Sequence, residues 1–239
     1  MVKINAARGA IALLIVVPLA AAGCSSSSKG KGATTHTPAG ASAVTSAAAA
    51  GTPAASPSGS ETITKAEASA ALLTPAEVGT NFSSAQFRPS SDALPCTPND
   101  PPLEQQVPAT LGVGSAVIAN SQQAAMSEDL RFYPDIATAQ HVLTLASKGL
   151  DCAQGKLNIT GTPETVTFGK QLDVSADVGA DKALAVQATS AQYDIVLVGC
   201  QMGRVLVLFS FLRTKTSSTS ALPNPITVAA KGVAKIKNS

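Results

Sequence analysis

The alternation of apolar and polar positions changes character twice along the chain. After Lys3 and Arg8 comes a continuous apolar run, Ala10-Ile11-Ala12-Leu13-Leu14-Ile15-Val16-Val17-Pro18-Leu19-Ala20. Residues 25 to 60 then hold almost only Ser, Gly, Ala, Thr and Pro, with no apolar face to offset the entropy of ordering them. From Glu61 onward the pattern becomes periodic. Thr74-Pro75-Ala76-Glu77 puts Thr at N-cap, Pro at N1 and Glu at N3, which predicts a short helix that Gly79 ends. Ser115 to Ala119 and Asp129 to Tyr133 read as short strands. Asp135 caps a longer helix reaching Leu150, because Ile136, Ala139, Val142, Leu143, Ala146 and Leu150 recur at helical spacing.

From Leu157 the pattern turns to strands. Thr165 to Phe168 and Ala183 to Thr189 are two of them. Tyr193 to Cys200 and Arg204 to Phe211 flank the turn Gln201-Met202-Gly203 and predict a hairpin. Both arms are nearly continuously apolar, so they are expected as central strands covered on one face by helices. The second arm is too short to span a bilayer. A polar linker, Thr214 to Ser220, precedes a last helix opened by Pro225, with Ile226, Ala229, Ala230, Val233 and Ile236 as its buried stripe. Helix, strands, helix, strands, helix is the order of an α+β domain, an antiparallel sheet with helices packed on it. There is no internal repeat.

Charge sharpens the division. Of 17 basic residues, Lys3, Arg8, Lys29 and Lys31 precede residue 60, while all 15 acidic residues follow it. The domain is therefore slightly acidic, with no counterion-release contribution for nucleic acid binding. Nucleic acid is excluded as a dedicated partner.

The N-terminal apolar run falls short of the roughly 20 residues of a spanning helix and suits an export signal. Ala21-Ala22-Gly23 leads directly into Cys24. This setting resembles the bacterial lipobox, although Ala21 stands where Leu is commonest. The resemblance implies a signal peptide over 1–23 and, on Cys24, diacylglyceryl and N-acyl chains such as palmitate. These hold the protein to the extracytoplasmic face of the cell membrane. Residues 24–60 are then a disordered tether with an r.m.s. span of roughly 30–35 Å, and 61–239 is the folded domain. His36 stands alone in the tether, without companion ligands.

Removing Cys24 leaves Cys96, Cys152 and Cys200, which allow one bridge and one leftover thiol in an oxidising compartment. Cys96 lies in the turn-forming Leu94-Pro95-Cys96-Thr97-Pro98, and Cys152 lies just past the long helix. Cys96–Cys152 is the expected disulfide. Cys200 ends an apolar strand and is expected as an inert core thiol. Leu72-Leu73-Thr74-Pro75-Ala76-Glu77-Val78, Leu94-Pro95-Cys96, a strand ending Tyr133-Pro134, the helix from Ala139 to Cys152 and the hairpin around Gly203 together resemble actinobacterial sensor-like domains. Such domains form the extracellular part of PknH-like receptor Ser/Thr kinases and occur in mycobacterial cell-envelope lipoproteins. The resemblance covers about residues 68 to 236. It implies a sensor-type α+β fold with a helix-pinning disulfide and no catalytic residues. The chain departs from the kinase-linked version, which has two disulfides, because Cys200 has no partner.

Candidate chemistry is sparse. His141, the domain's lone His, falls on the exposed side of the long helix. There is no Gly-x-Ser-x-Gly elbow, and Ser147-Lys148 are helix neighbours that do not face each other. Asp173, Asp177 and Asp181 lack the glycine and terminal Glu of a calcium loop. No zinc set, cofactor motif or catalytic set is expected. The leading expectation is a non-catalytic module that binds or senses an envelope ligand or protein. A carrier of a lipid or other apolar molecule, in a cavity between sheet and helices, is the second. A purely structural envelope protein is the third. A large dry cavity between the hairpin at 193–211 and the helices at 136–150 and 225–236 favours carriage, and a filled core favours the module. On the anchor, Cys24→Ala is expected to move the protein out of the membrane fraction or leave it unprocessed, as read by fractionation and mass of the mature N-terminus. Continued membrane attachment of a processed protein contradicts the anchor.

Overall fold

The computed structural model describes residues 63–90, 92–159, 161–216 and 222–239. The export segment, Cys24, the tether and His36 lie outside them.

Two short helices come first, α1 (Lys65–Ala70) and α2 (Pro75–Val78), each with a Thr/Glu capping box, Thr64 with Glu67 and Thr74 with Glu77. The first carries the same T-x-x-E signal as the second, but only the second was read from the pattern. The chain continues through β1 (Phe82–Ala85), α3 (Leu103–Gln106), β2 (Leu111–Ala119), β3 (Ala124–Phe132) and α4 (Ile136–Lys148). Then follow β4 (Gln154–Ile159), β5 (Thr162–Phe168), β6 (Leu172–Asp173), α5 (Ser175–Val178), β7 (Lys182–Thr189), β8 (Tyr193–Met202), β9 (Val205–Thr214) and α6 (Pro225–Lys237). The domain is α+β. Asp135 caps α4 by accepting the Thr138 N–H at 2.7 Å, and Asn224 caps α6 by accepting those of Ile226 and Thr227. The long helix stops at Lys148 rather than Leu150, with Gly149 as its C-cap.

The strands form one antiparallel sheet, ordered β1-β2-β3-β9-β8-β7-β5-β4, with β6 beside β7. The hairpin β8–β9 lies at its centre, as expected. β2 and β3 run longer than the sequence pattern showed, because Gly112 and Gly114 in β2 and the polar Ser127-Glu128 pair in β3 interrupt their apolar alternation.

Covering on a single face was expected for the hairpin; both faces are covered. Val198 and Cys200 of β8, with Val207, Phe209 and Phe211 of β9, face a core closed by Val228, Ala229 and Val233 of α6 and by Ala68 of α1. Leu206 and Leu208 face the opposite side, where Ala139, Val142 and Leu143 of α4 pack. A strand that is apolar at successive positions has two apolar faces, so each needs its own cover.

One acid lies inside the α6-side core. Glu128 of β3 is fully buried, and its Oε2 accepts the Leu73 N–H at 2.8 Å, tying the segment between α1 and α2 to the sheet. Its Oε1 and the Oγ of its cross-strand neighbour Ser115 have no hydrogen-bond partner. Burial pushes the Glu128 carboxyl up to about 7, against the opposing pull of the Leu73 N–H and Lys235. The neutral acid sits in the apolar core without the desolvation cost that the carboxylate carries, and either form can pair with the Ser115 hydroxyl, as donor or as acceptor. Lys235 Nζ meanwhile donates to Leu72 O and Glu77 Oε2, both at 2.8 Å, and holds Glu77 down at about 2.

The raised value has a sign. Between the ordinary Glu value of roughly 4.3 and about 7, the folded state holds a proton that the unfolded chain has released, so stability falls as pH rises through this window. Urea unfolding from pH 5 to 8 should show wild type losing on the order of 1–3 kcal/mol more than Glu128→Gln, which stays neutral. Equal slopes for the two proteins would show that Glu128 does not titrate there.

Candidate functional site

The α4 side of the sheet is covered unevenly. Leu206 is fully buried under α4, whereas Leu184, Leu197 and Leu208, on the three central strands, are only half-buried. Above them lies a cleft of about 220 Å³. Leu143, Ala146 and Leu150 form its α4 wall, and Leu157 of β4 closes another side. Leu103 of α3 closes an end.

The remaining wall is the loop segment Ala93-Leu94-Pro95. Its position is set covalently and sterically. Cys96 and Cys152 form a disulfide with Cα atoms 5.6 Å apart, and the Cys96 N–H donates to Gly149 O at 3.0 Å. The loop also rests on two glycines. A Cβ on Gly149 would lie 2.3 Å from Leu94 Cδ1, and one on Gly155 would lie 2.7 Å from Pro95 Cβ. Neither position has room for a side chain. Sulfurs and glycines together place Leu94 over the helix end and Pro95 over β4.

The cleft's polar groups are few. Gln171 clips α4 from outside: its Nε2 donates to Ser147 O and its Oε1 accepts from Ser147 Oγ, both at 2.7 Å. Ser90, Asp92, Lys156 and Asn158 are exposed along the rim. No aromatic side chain points in, since Phe209 turns its ring into the α6-side core.

The end formed by Leu103 depends on a buried cation. Arg131 is only 6% exposed and binds Asp129 at 3.0 and 2.7 Å, with Glu104 of α3 at 3.3 Å. Its charge is balanced by those two carboxylates, as burial requires. Asp129 and Arg131 fall in the strand read from Asp129 to Tyr133, but no local pattern signals the ion pair with Glu104, because it joins segments distant in sequence.

The cysteines fall as expected. The Cys96–Cys152 bond forms, packing beside Tyr193, Ile195 and Phe168. Cys200 is a free, buried thiol on the α6 side, pushed up to about 12 by burial, and so carries almost no thiolate at neutral pH. His141 is exposed on α4, away from the cleft. The three aspartates do not come together as ligands: Asp173 accepts from Ser175 N–H and Oγ–H, and Asp181 accepts the Gly203 N–H at 2.6 Å. Among the described residues no group of three or more His, Cys, Asp or Glu could hold a metal ion, and no helix is long and apolar enough to cross a membrane. The sequence left open whether a cavity separates the hairpin from the long helices. On the α4 side there is a cleft, and on the α6 side Val228, Ala229 and Val233 are buried against the hairpin.

The extracellular domain of PknH from Mycobacterium tuberculosis superposes with a TM-score of 0.57, at 15% identity, over 74% of this chain and 98% of that one. The chain has that fold. The similarity to PknH-like sensor domains read from the sequence is thus met at the level of architecture. An uncharacterised Mycobacterium smegmatis protein, the Rv0999 ortholog, aligns at 11% identity over 68% of this chain and 92% of that one, with a TM-score of 0.35, too loose to argue from. No family model matches the chain, and no curated protein does.

The disulfide closes a loop of 56 residues, and the chain-entropy model assigns such a closure roughly 3–4 kcal/mol. Cys96→Ser with Cys152→Ser should lower the unfolding free energy by about that amount in urea titrations. A loss under about 1 kcal/mol would mean that the two glycine contacts hold the loop without the sulfurs.

Proposed function

We propose that this chain is a non-catalytic binding or sensing module, held at the outer face of the cytoplasmic membrane by the lipid on Cys24. In this reading, the cleft under α4 receives an apolar part of its ligand. One observation carries the reading: leucines on the central strands, where burial is normally complete, face an unfilled space with a disulfide-fixed wall. A preformed apolar pocket rimmed by a few polar groups is the usual form of a small-ligand site.

Three further points support it. The fold is shared with a domain described as extracellular. A disulfide persists in an oxidising compartment, which suits an exported protein. Of the lining serines Ser90, Ser147 and Ser210, Ser147 is bonded to Gln171, and the lining holds no His to serve any of them as a base, which favours binding over chemistry. Volume favours a module over a carrier. At about 220 Å³ the cleft is smaller than the roughly 300–1,000 Å³ of drug-sized pockets, so it does not enclose a whole lipid.

Xenon is a probe indifferent to the ligand's identity, because dry apolar cavities take it up. Under xenon pressure, leucine-methyl NMR of the full chain should show shifts at Leu143, Leu197 and Leu208 but not at Leu72 or Leu130 in the α6-side core. Leu157→Trp, on the edge strand β4, should reduce them. Absence of these shifts, or equal shifts in both cores, removes the cleft as the site.

A further inference from the structure

We propose that the cleft takes the end of one straight aliphatic chain, whose polar head stays at the rim beside Lys156 and Asn158. The proposal rests on the cleft being the binding site and adds the chemical class of its occupant.

The lining decides the class. Apart from the Ser210 hydroxyl on β9, the side chains on the floor and walls are mainly aliphatic, dominated by Leu94, Leu143, Leu184, Leu197 and Leu208. A planar aromatic or nucleobase ligand calls for an aromatic platform or a guanidinium to stack on. The lining has neither: the Phe209 ring faces α6, and Arg131 is engaged by Asp129 and Glu104. A flexible chain, by contrast, fits between leucine side chains without a stacking partner.

Size decides how much of the chain enters. The cleft is about 220 Å³, half as large again as a dry cavity of about 150 Å³ that holds benzene, so it has room for roughly eight to ten carbons. That is one chain end and not two. Gly199 of β8 lets two lining leucines lie against the strand: a Cβ there would come within 3.2 Å of Leu143 Cδ1 and 3.3 Å of Leu208 Cδ2, so a methyl at this position would push both side chains toward the cleft. The exposed rim groups, including Asp92 and Lys156, keep a head group in water. A free fatty acid and the acyl chain of a membrane lipid share this chemistry.

The test uses leucine-methyl shifts at Leu143 and Leu197 of the full chain carrying Cys24→Ala, titrated with straight-chain carboxylates from hexanoate to dodecanoate. Affinity should rise roughly fourfold per added methylene and level off near ten carbons. Naphthoate should bind at least tenfold more weakly than decanoate. Dioctanoyl phosphatidylglycerol should bind within about threefold of octanoate if only one chain enters; a much larger gain would mean that both chains of a lipid are held and overturn the single-chain assignment. Gly199→Ala should weaken decanoate about fourfold or more while leaving hexanoate unchanged. Leu184→Phe narrows the same floor from β7 and serves if the Gly199 variant does not fold. Affinity independent of chain length, or naphthoate binding more tightly, overturns the aliphatic assignment. If xenon still shifts the cleft methyls in that case, the site stands and only the ligand class falls; if xenon also fails, both fall.

Discussion

A hairpin that is apolar on both faces must be covered twice, and the two covers of β8 and β9 are of unequal quality. On one side α6 brings a continuous stripe, Val228, Ala229 and Val233, against Phe209 and Phe211, joined by the N-terminal helical segment. On the other side α4 reaches Leu206 completely but ends at Lys148. What lies beyond its end has to be roofed by a loop and an edge strand. Helices cover a sheet by packing density, whereas loops cover it only where something pins them. The cleft is the space left by that difference.

The pin is the Cys96–Cys152 bond together with two glycines. Without a Cβ at Gly149 and Gly155, Leu94 and Pro95 come against the backbone of the helix end and of β4. The disulfide then constrains the same loop covalently. A wall held in this way costs little to order when a ligand arrives, and preorganisation of that kind is worth affinity. Arg131 plays a parallel part at the other end, fixing α3 and Leu103 through Glu104. Arg131, Asp129 and Glu104 are structural here, and the cleft presents mainly aliphatic carbon.

The opposite face carries its own conditional element. Glu128 is accommodated in an apolar core because the Leu73 N–H meets one oxygen, while its other oxygen lies on the strand pair opposite Ser115 without a hydrogen-bond partner. The neutral acid suits the site better than the carboxylate. The docking of the N-terminal helices is therefore linked to proton binding on the side of the sheet away from the cleft.

Much of the architecture was legible in the residue pattern. Capping signals at Thr74, Asp135 and Pro225 and the apolar arms around Gly203 are local, so they located the helices and the central hairpin. The Cys96–Cys152 pairing followed from two turn-like contexts and one strand-like one. What the pattern understated was β2 and β3, where glycines in the first and Ser127 and Glu128 in the second interrupt the alternation while strand neighbours on both sides supply the hydrogen bonds. The sequence by itself determined that the hairpin would be central and apolar throughout, since that depends only on side chains along one segment. Whether its two faces would be filled or left open depends on where helices from distant segments end relative to the strands beneath them. Only the tertiary structure decided that, because a cavity is a property of the gap between elements and of no single element's sequence.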